Sequence, residues 1–225
     1  MDSLAGRIAD AKARIASAAA RAGRKPQEIA ILYATKHATE EQIAALARIE
    51  PHVIIGENRV QDAQEKFEDL RKLLPPEKFR LMEKHMIGTL QSNKARDAVG
   101  LFEAIQSVDS ERLARKISLC AIEAGKTMPI YLEVNNGEGS KHGVSFGDLG
   151  SLISSASALP NIRLAGLMGM GVEGNPAATR EFFRKLRQAA DGHGLKTSMG
   201  MSDDFEIAVE EGSDMVRLGR AVFLV

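Results

Sequence analysis

Apolar residues fall on a helical stripe at the start of the chain. Leu4, Ile8, Ala11, Ile15, Ala18 and Ala22 share one face of a helix over residues 3–22, with Asp10 and Arg14 spaced as an i,i+4 pair on its surface and Gly23 after it. Beyond this point the pattern changes. Short, nearly continuous apolar runs recur at 29–35, 53–56, 81–87, 101–105, 128–134, 162–167, 195–198 and 215–218. Between them lie amphipathic segments with helix start signals. Thr39 to Gln42 reads as a capping box, Asp109-Ser110 and Ser202 as N-caps, and Asn175-Pro176 as an N-cap followed by proline at the first helical position. Pro51, Pro75-Pro76, Gly125 and Gly212 supply the breaks.

Eight short buried strands alternating with helices imply a parallel sheet covered on its outside by helices. At this length the pattern predicts an α/β fold, a (β/α)8 TIM barrel. Residues 1–24 form an extra N-terminal helix packed on it, and residues 1–225 form one domain without a linker. The alternative is an open doubly wound sheet. No G-x-G-x-x-G follows the first strand, which weakens a dinucleotide-binding reading.

Composition narrows the partners. Lysine plus arginine and aspartate plus glutamate each total 30 of 225 residues, so no net charge favours a nucleic-acid partner. One cysteine, Cys120, rules out an internal disulfide and suits a reducing compartment. Without a membrane-length apolar run or a secretory leader, the expectation is a soluble cytoplasmic protein with no membrane partner.

The active face of such a barrel is built from the loops after its strands. Lys36 follows the first strand, where desolvation at a buried strand end would lower its pKa and leave a nucleophilic amine. The plainer reading is a strand-end lysine whose ammonium reaches water. Glu57-Asn58 follow the second strand, and His85 lies within the third, where a packed histidine is the plainer role. Asn135 and Ser140-Lys141 follow the fifth. Ser198, Gly200 and Ser202 follow the seventh, and Arg217, Gly219 and Arg220 end the eighth. The last two loops suggest a phosphate cradle, with hydroxyls, a glycine for close approach and a helix N-terminus at Ser202. No H-x-x-x-H, C-x-x-C or G-x-S-x-G occurs, which argues against a metal centre and a serine-hydrolase elbow.

With these residues aligned, the chain closely resembles the pyridoxal phosphate homeostasis protein family. The matching segments include Ala34-Thr-Lys36, Ile55-Gly-Glu-Asn-Arg-Val-Gln61, His85-Met-Ile-Gly-Thr-Leu-Gln-Ser-Asn-Lys94, Ser198-Met-Gly-Met-Ser-Asp203 and Val216-Arg-Leu-Gly219. The resemblance implies a barrel like the alanine racemase N-terminal domain, holding pyridoxal 5'-phosphate (PLP) as a Schiff base on Lys36. It places Asn58 and His85 in the cofactor pocket and Ser198, Met199 and Gly200 in the phosphate loop. Gly219 is implied as a backbone donor to the phosphate and Arg217 as the group facing the pyridine nitrogen. Such an arginine disfavours a protonated pyridine and weakens the electron-sink role of PLP. Three segments depart from the family pattern. Arg220 replaces a small hydroxylated residue, Asn135-Asn136-Gly137 stands where Asn-Ile-Ser is frequent, and Arg59 replaces a common tyrosine.

The implied function is a monomeric carrier and regulator of PLP and amino-acid balance without robust catalysis, with PLP-dependent apoenzymes as partners. One alternative is a single-domain PLP-dependent amino-acid racemase. Another is a cofactor-free Schiff-base aldolase on the same barrel.

Overall fold

The structure, a computed structural model, describes residues 3–137 and 142–223. Eight parallel strands close into a barrel: β1 (Ala30–Ala34), β2 (Ile54–Glu57), β3 (Glu83–Met86), β4 (Ala104–Val108), β5 (Met128–Val134), β6 (Ile162–Gly169), β7 (Lys196–Met199) and β8 (Met215–Leu218). Each pairs with its sequence neighbour, and β8 returns to β1 with Leu32 opposite Arg217. The closed barrel is therefore the architecture, and the open-sheet alternative falls.

Ten α-helices occur among the described residues. α1 (Leu4–Arg21) precedes β1, and α2 (Glu40–Ile49) and α3 (Val60–Leu73) follow β1 and β2. α4 (Pro76–Leu81) leads into β3, and α5 (Ala95–Leu101), α6 (Glu111–Glu123), α7 (Phe146–Ser157) and α8 (Pro176–Asp191) follow in turn. α9 (Phe205–Glu210) and α10 (Arg220–Phe223) complete the order. The helices bury their apolar stripes on the strands' outer faces; α1 buries Ile8, Ala11, Ile15, Ala18 and Ala19, packed on α9 and α10. Cys120 is free and buried in α6. Among the described residues no helix is long and apolar enough to cross a membrane, and no cluster could hold a metal ion.

Several boundaries differ from the sequence pattern. Pro76 opens α4 instead of only ending α3, because proline tolerates the first helical turn. α4 takes up Leu81, so β3 starts at Glu83. The fourth strand lies three residues later than its apolar run suggests: Leu101 ends α5, and β4 carries two polar residues, Gln106 and Ser107, buried within it. Ser202 is not an N-cap. The chain makes a turn from Ser202 to Asp204, and α9 begins at Phe205. The capping box at Thr39 forms as expected, with Gln42 N–H donating to Thr39 Oγ1 and Thr39 N–H to Gln42 Oε1.

Candidate functional site

A cavity of about 320 Å³ opens at the C-terminal mouth of the barrel. Its wall combines Ala34 at the end of β1, Lys36 and His37 after it, Asn58 after β2 and Ile87 after β3. Met168, Met170, Met201, Ser202, Arg217, Gly219, Arg220 and Phe223 complete it. The volume lies within the range of small-ligand pockets, and its apolar residues are interrupted by a few convergent polar groups.

Lys36 sits two residues beyond β1, on a turn, and is exposed. The burial expected from its position after an apolar strand does not occur, because Thr35 takes the last buried place. Thr35 is held firmly. Its hydroxyl donates to Glu57 Oε1 at 2.6 Å, and its carbonyl accepts from Lys66 Nζ at 2.6 Å. Lys66 also pairs with Glu57 Oε1 at 2.7 Å, and both side chains are buried. This cluster ties the end of β1 to β2 and α3, and so fixes the strand end from which Lys36 projects.

Asn58 is positioned by backbone contact. A Cβ on Gly88 would lie 2.7 Å from Asn58 Cα, so only glycine lets the loop after β3 pass so close. Gly219 approaches β1 in a similar way: its added Cβ would stand 3.1 Å from the Ala34 carbonyl oxygen.

Arg217 is buried inside the barrel and reaches the cavity wall. Its Nη1 donates to the Ser198 carbonyl at 2.6 Å and to Ser198 Oγ at 3.0 Å, and its Nη2 donates to the Gly169 carbonyl at 2.8 Å. Burial draws its pKa down to about 10, while Asp204 and Glu133 oppose that shift. Glu133 is itself buried, and desolvation, reinforced by Asp109, raises its pKa.

The residues of the expected phosphate loop divide between the barrel interior and the cavity wall. Ser198 and Met199 are fully buried strand residues and do not line the cavity. Gly200, at φ +95°, serves the packing of the barrel, since an added Cβ would lie 2.9 Å from Phe205 Cα. Met201 and Ser202 present this loop to the cavity instead. Ser202 Oγ accepts from Ala221 N–H at 3.1 Å, linking the loop to α10. Among the described residues no partner is found for the backbone N–H groups of Ser202, Gly219 and Arg220. The Arg220 side chain is exposed and pairs with Asp203, so its role at the wall is shared with an acid.

His85 does not line the cavity either. It lies within the barrel, with Nδ1 2.8 Å from Gln106 Nε2 and Nε2 3.5 Å from Glu83 Oε2. Ser140 and Lys141 lie outside the described residues. Asn135 faces its own loop, accepting from Gly137 N–H and donating to the His142 carbonyl. The lining role of Ile87, Met170 and Phe223 left no sequence signal, since each reads as ordinary core. Gln106 left none either, because it falls just past the apolar run at 101–105.

Residues 12–225 match the family model for the alanine racemase N-terminal domain. A pyridoxal phosphate homeostasis protein from Aquifex aeolicus is 37% identical over 220 residues, covering 93% of this chain and 92% of the relative. One from Escherichia coli K12 is 33% identical over 236 residues, covering 99% and 97%. The PLP-bound structure of PipY from Synechococcus elongatus superposes with a TM-score of 0.79 at 32% identity, covering 93% of this chain and 99% of PipY. An alanine racemase from Clostridium difficile shares the fold at 15% identity and a TM-score of 0.67, over 95% of this chain and 56% of the enzyme. The chain belongs to the pyridoxal phosphate homeostasis protein family, built on the barrel of the alanine racemase N-terminal domain.

Proposed function

We propose that this chain binds PLP reversibly at Lys36 and serves as a carrier and regulator of PLP and amino-acid balance, without robust catalysis. The observation that carries this reading is one cavity joining an exposed primary amine to the backbone N–H groups of Ser202, Gly219 and Arg220, for which no partner is found among the described residues. An amine suits an aldehyde, and converging N–H groups suit a phosphate. PLP, when bound, supplies an aldehyde that condenses reversibly with a primary amine.

The chain's own residues divide the remaining work. Lys36 supplies the amine. Ser202, Gly219 and Arg220 supply backbone donors for the phosphate. Asn58, held by Gly88, and the side chains of Ile87 and Met168 bound the space for an aromatic ring. Arg217 keeps a fixed positive charge on the inner wall, which disfavours a proton on a facing ring nitrogen. His85, Ser198, Met199 and Gly200 support this wall from behind instead of touching the ligand.

An exposed Lys36 favours exchange with an incoming amine over sequestration, which fits delivery to PLP-dependent apoenzymes. We place this activity in a monomer in the cytoplasm; the free, buried Cys120 is compatible with a reducing setting. Incubating the PLP-loaded protein with single L-amino acids tests the reading. The carrier account predicts PLP release without accumulation of the D-isomer. D-isomer formation at ordinary enzymatic turnover would establish the racemase alternative instead.

A further inference from the structure

A chain of buried polar groups crosses the barrel beneath the cavity. It starts at Arg217, whose Nη1 lies 3.0 Å from Ser198 Oγ. Ser198 Oγ lies 2.7 Å from Gln106 Oε1, and Gln106 Nε2 lies 2.8 Å from His85 Nδ1. His85 Nε2 faces Glu83 Oε2 at 3.5 Å, at the start of β3 and the opposite end of the barrel. Ser198 and Gln106 are completely buried, and His85 nearly so.

The direction of this chain is fixed at its upper end. A guanidinium only donates, so Ser198 Oγ must accept from Arg217. Its own hydrogen then goes to the one acceptor placed for it, Gln106 Oε1. The Gln106 amide nitrogen is thereby turned toward His85, so Nδ1 must accept. The imidazole proton is left on Nε2, pointing at the Glu83 carboxylate. The second Gln106 hydrogen finds Met215 Sδ at 3.3 Å.

We infer that Gln106 and His85 are positioning residues for Arg217, acting through a one-way hydrogen-bond chain from the cavity to Glu83. Three of the five guanidinium N–H groups are spent on Ser198 and Gly169, leaving Nε–H and one Nη2–H for the cavity. Fixing Ser198 Oγ fixes which edge of the guanidinium faces the ligand. His85 thus reaches the ligand only through three intermediates, Gln106, Ser198 and Arg217. The inference rests on the PLP reading for its effect on the ligand, while its hydrogen-bond direction is a property of the protein alone.

Two measurements test it. The first uses the unaltered protein without PLP: long-range ¹H–¹⁵N spectra of the histidine rings, with His85 assigned through His85→Asn. The expected result is a neutral ring protonated at Nε2. A proton on Nδ1 overturns the direction of the chain, whatever the variants do. The second measures PLP affinity and the absorbance spectrum of bound PLP in Gln106→Leu, His85→Leu and His85→Asn. Both leucine variants should weaken PLP about 2–10-fold and shift the spectrum, since each breaks a link worth one buried hydrogen bond. His85→Asn keeps an amide oxygen near the Nδ1 position and should restore most of the effect. Unchanged affinity and spectrum in the leucine variants, with native-like circular dichroism, overturn the positioning role. If a leucine variant does not fold, His85→Asn decides: a spectrum displaced from that of the unaltered protein contradicts the proposal. Failure of the unaltered protein to bind PLP would sink the carrier reading and leave the Nε2 result standing.

Discussion

Replacing Lys66 with methionine tests what holds Lys36 in place. Lys66 Nζ bonds Glu57 Oε1 at 2.7 Å and the Thr35 carbonyl at 2.6 Å, with side-chain exposures of 9% for Lys66 and 2% for Glu57. Lys66→Met retains the packing of the stem but leaves the Glu57 carboxylate buried with, among the described residues, the Thr35 hydroxyl as its remaining close donor. Breaking one side of a buried ion pair costs about 3–5 kcal/mol. For a chain of this size that corresponds to a fall of about 6–20 °C in Tm. The companion variant Glu57→Gln/Lys66→Met removes both charges and should regain most of the loss, leaving a deficit of about 1 kcal/mol. Urea unfolding followed by circular dichroism measures all three proteins, with the m-value checking that the unfolding transition is comparable. Lys66→Met should also weaken PLP, because the freed Thr35 carbonyl adjoins Lys36. The reasoning is refuted if Lys66→Met costs less than about 1 kcal/mol, or if the double variant is as unstable as the single one.

Two further outcomes follow from the same geometry. Gly88→Ala brings a methyl group 2.7 Å from Asn58 Cα, so it should cost about 1–3 kcal/mol in urea unfolding and weaken PLP by displacing Asn58. Glu133 has a pKa raised above the ordinary carboxyl value of 4.5 by burial, so the folded state binds its proton more tightly than the unfolded state does. Its contribution therefore declines as pH rises from that ordinary value through the raised one. Glu133→Gln should gain stability relative to the unaltered protein across that window, and paired urea titrations at acidic and neutral pH check the sign.

The barrel was legible because short apolar runs recur eight times with amphipathic segments between them. The mismatches have local causes. Gln106 and Ser107 hid the second half of β4, since two buried polar residues interrupt its apolar run. The turn at Ser202 offered its hydroxyl to Ala221 instead of to the next helix, a choice made by tertiary contact. Lys36, Asn58, Arg217, Gly219 and Arg220 line one cavity. His85, Ser198, Met199 and Gly200 stand behind it, because spacing along a strand does not reveal how far below the mouth a residue lies. The Glu57–Lys66 pair was equally hidden: a lysine nine residues after Glu57 reads as surface until the helix turns it inward.

The central claim is that PLP is held by Lys36 and by no other amine. Adding PLP to the purified protein, reducing with borohydride and mapping the modified peptide by mass spectrometry tests it directly. The account predicts one stoichiometric adduct on Lys36, absent from Lys36→Ala. An adduct on Lys94 or Lys141, or undiminished labelling of Lys36→Ala, would contradict it.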